Sequence, residues 1–538
     1  MKSATAHVAL IRTPPVLPVS SVTAQQGVPS LALAYLGGAL KQQGHQVTYI
    51  DALGERLGSF RSFGVPGLLF AGLSIPEILD RIPREIEVIG VSCQFSNDWI
   101  FSRRLLDEIH LRFPDKPIVI GGEHATADYP TIFETNPYIA ACVLGEGEET
   151  LLELTAAFAE KKDHRQVQGI AYSENGEVKK TCGRKRNKAL DLLPWPDWES
   201  LPVQNYLNAG LGMAAQGVRT MPMLGSRGCP YKCTFCSAPQ MWSARWFHRS
   251  VDDVIQEAHK YKRLYGIEHI EFYDMSPSID RKWFEELCGR LGELKLTWNF
   301  AAGMRSEILN PELLKNLHQN GCYKITYALE TSAPKLIEMI KKKVKPNRVM
   351  SLVRSSVKAG IITKVNFIWG LPGQRVRDVL TDYLYLVRLA WNGLHDATCF
   401  AFVPYPGCEE FTQLKAAGKI QVDDKYEEFL AFNVYNNPLR MRSWSDHIQD
   451  RHLSYWTLGG MAVFYSVQFL VRPLRFVRLV HRLWTAKPVT MLELALFGLL
   501  NNFIKGRKLR TEETPIFESR VLESRLNVLE RGTIAGQG

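Results

Sequence analysis

Long apolar runs are scarce in this 538-residue chain. The best candidate, residues 455–471, is seventeen residues long and interrupted, short of the roughly 20 that a spanning helix needs. The apolar stretch in the opening MKSATAHVALIRTPP covers only a few residues, which predicts a first strand and not a signal peptide. Cysteine is sparse too. Ten are present, scattered except for one triplet, which argues against a disulfide-stapled secreted fold and for a reducing cytoplasm. Internal repeats and low-complexity tracts are lacking, which excludes solenoids and repetitive scaffolds. An excess of one charge is lacking as well outside a single window. Residues 451–510 carry ten lysines and arginines against one acid, Glu493, and so hold nine of the ten net positive charges. That window contains no recognised nucleic-acid module and its aromatics fall in apolar runs, so no nucleic-acid partner is expected.

What is there begins with residues 225–237, GSRGCPYKCTFCS. Cys229, Cys233 and Cys236 are spaced Cys-x-x-x-Cys-x-x-Cys. Three thiolates on one short loop can hold three irons of a 4Fe–4S cube and leave the fourth open. A closed zinc site needs a fourth ligand, and the nearest histidine, His248, lies twelve residues on. Gly228 and Pro230 bracket the first cysteine and Phe235 precedes the third. This string resembles the radical S-adenosylmethionine (SAM) superfamily. The resemblance implies that SAM chelates the open iron, that electron transfer from the reduced cluster yields a 5′-deoxyadenosyl radical, and that conditions are anaerobic. It also implies an electron donor such as flavodoxin or ferredoxin.

Upstream, strands over 7–12, 46–51, 88–92 and 117–122 alternate with helices that start at Pro29 and at Asn97. Such alternation predicts a doubly wound parallel α/β sheet, Rossmann-like, with ligands at the carboxyl ends of its strands. Those ends carry Asp51, Ser92, Gly121, Gly122, His124, Gly145 and Glu146, and glycines there let a large ligand approach the backbone. The set resembles the cobalamin-binding domain that precedes the radical domain in one branch of the superfamily, and by that resemblance these residues line cobalamin. Many such domains use Asp-x-His-x-x-Gly to ligate cobalt. Here Asp51 is followed by Ala52 and Leu53, so base-off cobalamin without that histidine is expected. His124 is open to three readings: a substitute ligand, a residue lining the cofactor, or a polar start to a helix. A flavodoxin-like domain without its ligand is the other reading of the whole unit.

After the cluster loop, helices and strands alternate through residues 251–403. With the strand before the cysteines they make six strands, the partial (β/α)6 barrel that the family implies, with its site at the strands' carboxyl ends. Asp274 and Ser276 stand where relatives place an acceptor for the methionine amino group; Asp274 also reads as a helix cap. Arg305 reads as a carboxylate grip or an ion pair. Glu330 resembles the family's acidic ribose contact, and Gly370 begins a Gly-Leu-Pro-Gly turn of the kind found beside the adenine. No Lys-Ser/Thr follows that turn, which excludes a phosphate loop. Tyr405, in a Phe-Val-Pro-Tyr-Pro-Gly run, is the candidate to approach substrate or else part of a plain loop.

The expected organisation is a cobalamin-binding domain over 1–155, a linker over 156–220 with a hairpin at Asn175-Gly176, a radical SAM domain over 221–410 and an α-helical C-terminal segment over 411–538. In that segment Arg472, Arg475, Arg478 and Arg482 punctuate an apolar helix. They either meet an anionic membrane surface or are solvated while the helix packs on the barrel. The family brings two chemistries: methyl transfer to an unactivated carbon of a hydrophobic molecule, and oxidative ring closure or oxygenation of a tetrapyrrole-like molecule, as in the anaerobic magnesium-protoporphyrin monomethyl ester cyclase. A cofactor-binding sensor is the non-enzymatic reading. A cytoplasmic enzyme is expected, with the inner membrane face as its second location.

Overall fold

The computed structural model describes residues 5–19, 27–212, 217–433, 441–485 and 488–504. The N-terminal sheet is built from β1 (His7–Arg12), β2 (Gln46–Asp51), β3 (Val88–Ser92), β4 (Ile118–Gly121) and β5 (Ala141–Val143), all parallel. Both faces of these strands are covered, so they read as continuous apolar runs such as Val8 to Ile11, all buried. The expected hairpin, β6 (Ile170–Glu174) and β7 (Glu177–Lys180), adds antiparallel to β5 and gives the order β7-β6-β5-β4-β3-β1-β2. It is therefore an edge of this sheet rather than a free linker. The pairing Arg12↔Asp51, Arg12↔Ser92 and Ser92↔Gly121 sets these residues in one row along the carboxyl edge. The helices α1 (Leu31–Gln42), α2 (Trp99–Arg112), α3 (Glu123–Thr135) and α4 (Glu148–Ala159) follow from that row.

The second sheet has six parallel strands in sequential order: β8 (Thr220–Met223), β9 (His269–Phe272), β10 (Thr297–Phe300), β11 (Cys322–Glu330), β12 (Ile362–Trp369) and β13 (Asp396–Ala401). Trp298, Trp369, Phe272, Phe284 and Phe367 fill its core with almost no exposure. Local signals fix the helices between strands. Ser250 caps the helix Val251–Tyr265 through Asp253 N–H, and Gly266 ends it at φ 57°. Asp280 caps Arg281–Leu291 in the same way. After β12 comes α6 (Val376–Trp391), and α7 (Asp424–Phe432) reaches across to the first sheet, where Arg103 of α2 pairs with Asp424 and Glu427.

The helix that covers β13 arrives late in the chain. It is α8 (Asp450–Val471), which lies beside α6, with Gly460 against Trp369 of β12 and Cys399 of β13. It completes the sixth β/α unit. Pro473 then opens α9 (Pro473–Trp484), and α10 (Met491–Ile504) follows. Among the described residues no helix is long and apolar enough to cross a membrane.

The arginines of α9 correct the expectation that they are freely exposed. Arg472 donates to the carbonyls of Ala390 and Trp391, and Arg475 to those of Gly393 and Leu394, at 2.6–3.2 Å. These carbonyls close the carboxyl end of α6, where helices leave acceptors unfilled and negative. Arg482 pairs with buried Glu493 at 3.0 Å. Only Arg478 of the four points outward. Arg475→Ala should therefore destabilise the C-terminal layer by about 1.5–3 kcal/mol, the range for hydrogen bonds to a charged group. Arg478→Ala should stay within about 0.5 kcal/mol of the parent. Urea unfolding followed by tryptophan fluorescence checks both.

Candidate functional site

The cluster loop leaves β8 through a tight turn held by Asp274. This carboxylate is fully buried and accepts from Gly225 N–H at 3.0 Å and from Ser226 Oγ at 2.5 Å. Burial pushes it up to about 6, against the pull of those donors. Asp274 thus caps neither the following helix, which has Asp280, nor an open acceptor position; it anchors the turn before the cysteines. Ser276, two residues on, donates its hydroxyl to Cys229 Sγ at 3.2 Å.

Cys229, Cys233 and Cys236 are free and half-buried. Burial pushes the Cys236 thiol up to about 12, and Glu123, Cys233 and Cys229 add to it, so the three thiols stand within electrostatic reach of one another. Among the described residues no three His, Cys, Asp or Glu side chains converge on a point as ligands of a single ion must. Three free, half-buried thiols on one loop are the donor set that a 4Fe–4S cube with one open iron takes, and by that chemistry the triplet fits the group. Phe235 carries Lys342 against its ring, 5.5 Å from the centroid, and Lys342 pairs with Glu330 at 2.9 Å. Glu330 is buried at φ 69°, beside an irregularity in the pairing of β11 with β12. A non-glycine residue held there stores strain, a feature of ligand-binding positions. Arg305 stacks on Tyr231 of the cluster loop at 3.5 Å and pairs with Glu307 at 2.5 Å. Gly370, at φ 83°, gives its N–H to Gln374 at 2.6 Å and lies under Leu453 of α8, which a Cβ would approach to 2.7 Å. Tyr405 is half-buried in an apolar cluster with Phe235 and Ile368.

The carboxyl edge of the first sheet faces this loop. Glu123, next to Gly122, accepts a hydrogen bond at 2.5 Å from Ser237, next to Cys236. The short helix α5 (Ala238–Trp242) packs on α3, where Thr126 Oγ lies 3.6 Å from Met241 Sδ. Gly122 sits at φ 115°, where a Cβ would press to 2.7 Å on Cys93 O. His124 is buried, with Nδ1 on Ser96 Oγ at 3.0 Å and its ring 4.9 Å from Trp99. Its Nε2 has no hydrogen-bond partner among the described residues, and burial lowers its pKa to about 3, so the imidazole is neutral. Small residues and an orphaned buried nitrogen at the strand ends fit a large cofactor. Asp51 is committed elsewhere: its oxygens accept from Tyr206 OH at 2.8 and 3.0 Å and from Gly54 N–H, beside Arg12.

Glu146 and Glu148 bind Arg227 of the cluster turn at 3.2 and 2.8 Å, and Arg186 binds Glu146 at 2.9 Å. Beside them a cavity of about 240 Å³ opens between Gly145, Arg184, Gln240 and Met241. Sequence reasoning missed Arg227, Ser237, Glu123 and Lys342. The only signal for the first three is adjacency to a motif, which does not say what a side chain touches, and Lys342 stands in a run of three lysines with no motif beside it.

Two measurements test this geometry on the reconstituted protein. Ser276→Ala removes a donor from a cluster thiolate, so the midpoint potential should shift negative by spectroelectrochemical titration; an unchanged potential means that Ser276 does not touch the cluster. Electron paramagnetic resonance of the cobalt(II) form should show no axial nitrogen splitting, because Leu53 stands at the histidine position and is buried. Splitting that vanishes in His124→Ala would make His124 the ligand.

The sequence profile of the Radical SAM superfamily matches residues 223–386, and that of the B12 binding domain matches residues 19–155. An uncharacterized methyltransferase of Pyrococcus horikoshii is 28% identical over 379 residues, 70% of this chain and 77% of its own. The anaerobic magnesium-protoporphyrin IX monomethyl ester cyclase of Cereibacter sphaeroides is 26% identical over 411 residues, 74% of this chain and 62% of its own. Among solved structures, the radical SAM methyltransferase TsrM of Kitasatospora setae, with cobalamin and a [4Fe-4S] cluster bound, superposes with a TM-score of 0.61 at 16% identity, over 86% of this chain and 89% of TsrM. The chain therefore carries a radical SAM domain preceded by a B12 binding domain.

Proposed function

We propose that this protein is a cobalamin-dependent radical SAM methyltransferase that methylates an unactivated carbon in a hydrophobic molecule under anaerobic conditions. The observation that carries the reading is the Ser237–Glu123 hydrogen bond, which couples the residue after Cys236 to the residue after Gly122. When bound, the cluster supplies the electron that cleaves SAM and the cobalamin carries the methyl group. In this reading Cys229, Cys233 and Cys236 hold the cluster, and Ser276 tunes it. Glu330, positioned by Lys342, meets the SAM ribose. Ser92, Gly121, Gly122, His124 and Gly145 line the corrin, and Arg227 keeps Glu146 and Glu148 fixed behind it. Tyr405 stands at the substrate side. Its neighbours Phe235, Ile368, Phe402 and Phe429 belong to one apolar cluster, which excludes water and suits an apolar substrate.

The named cyclase relative supports a second reading, oxidative ring closure. The two separate by product. Candidate substrates are incubated anaerobically with methyl-labelled SAM and reduced flavodoxin or ferredoxin. Methyl transfer should place the label in the product and release S-adenosylhomocysteine and 5′-deoxyadenosine in equal amounts. Ring closure gives an unlabelled product lighter by two hydrogens and no S-adenosylhomocysteine. Tyr405→Phe should cut product formation about tenfold, on the scale of one lost catalytic contact, with the cluster's absorbance unchanged. Absence of 5′-deoxyadenosine from every substrate tried would sink both.

A further inference from the structure

A surface helix of a water-soluble protein turns its apolar residues to the core and its charges to solvent. Helix α9 does the reverse. Arg475 and Arg482 face the barrel, held by the Gly393 and Leu394 carbonyls and by Glu493. Leu474, Phe476, Val477, Val480 and Trp484 face outward, and Trp484 is 89% exposed. Of its apolar residues only Leu479 is fully buried. The inversion continues onto the neighbouring helices. α6 and α8 lie side by side, tied by Tyr383 OH to Trp456 O and by Arg472 to Trp391 O. Their outer faces expose Leu384, Trp391, Leu458 and Leu470, at 52–81%. Three neighbouring helices, α6, α8 and α9, thus expose apolar side chains in number, where an ordinary monomer shows scattered single residues.

The charges on that face are mostly positive: Asp450 opens α8 and Asp378 of α6 lies 3.9 Å from Arg377, while the rest of α8 and all of α9 carry no acid. From Arg451 to Trp484 the sequence has no acidic residue. Arg478 is exposed in the middle of α9, and Arg377 and Arg388 are exposed on α6. Exposed aromatic and aliphatic side chains rimmed by cations match the boundary between acyl chains and anionic headgroups. A second copy of this chain would bring the same cations against themselves, which disfavours a two-fold interface through this face.

We propose that the outward face of α6, α8 and α9 is a membrane-docking surface that inserts Leu474, Val477 and Trp484 into the headgroup boundary of an anionic leaflet. The docking is independent of which reaction the barrel carries out. It also revises the role of the arginines: Arg472, Arg475 and Arg482 brace the helix from behind, and Arg478 is the one of the four that meets lipid.

The test is flotation of the full chain with vesicles of phosphatidylethanolamine mixed with phosphatidylglycerol, compared with phosphatidylcholine alone. The protein should float with the anionic vesicles and less so at high salt. The variant Leu474→Ser, Val477→Ser, Trp484→Ser should lose at least tenfold in vesicle affinity with its cluster and cobalamin loading unchanged. If that variant does not fold, quenching by brominated acyl chains decides on folded protein. The wild type should be quenched more than Trp484→Phe, and equal quenching would overturn the proposal. Failure of the wild type to float would overturn it too, as would a dimer in solution that the triple substitution disperses, which would make a second copy the occupant of this face.

Discussion

Arg227 ties the two halves of the molecule together. It sits two residues before the first cluster cysteine, is 7% exposed, and splits its guanidinium between Glu146 and Glu148 at the end of β5 and the start of α4. Its plane lies over Tyr35 of α1. Arg186 doubles the clamp from the other side, bonded to Glu146 and to the carbonyls of Trp242 and Arg245. Taking such charges out of water is costly. Burial works against the charge of Arg227, and Glu148 leads the neighbours that hold its pKa above the usual arginine range. What the arrangement gains is orientation. A planar guanidinium held by two separate carboxylates is fixed in direction as well as in place, which orients the loop that carries the cysteines against the glycine-lined edge.

Much of the fold is legible in the sequence because parallel strands covered on both faces leave a run of apolar residues that few other structures produce. Cys322–Glu330 and Ile362–Trp369 can be placed within two residues on that ground. The cysteine triplet is legible for a different reason: its spacing is itself the chemistry. The C-terminal layer is not. Periodicity tells which residues of α9 share a face but not which face looks inward, and the pull of the α6 carboxyl end on Arg475 is a contact across eighty residues of chain. Asp274 fails in the same way. Its place at a strand end suggests an open carboxylate, yet its donors lie on the neighbouring strand's turn. A single sequence carries no trace of such partners.

The late arrival of α8 changes what the preceding stretch is. With α8 as the sixth barrel helix, the described residues 402–433 and 441–449 belong to the connection between the last strand and its helix. In barrels of this type, such loops at the carboxyl ends of the strands form the mouth of the site. This one holds Tyr405, sends α7 across to pair with Arg103, and returns through Trp444, which bonds the Gly370 carbonyl at 2.9 Å. Its length is nearly free to vary, since each doubling of a loop costs only about 0.6 kcal/mol in closure entropy. The cysteines, by contrast, hang from β8 at the opposite end of the sheet. The cysteine loop and the last connection thus hang from opposite margins of one sheet; on the proposed reading, a lineage could exchange its substrate by redrawing the last connection while the first strand and its cysteines stayed as they were.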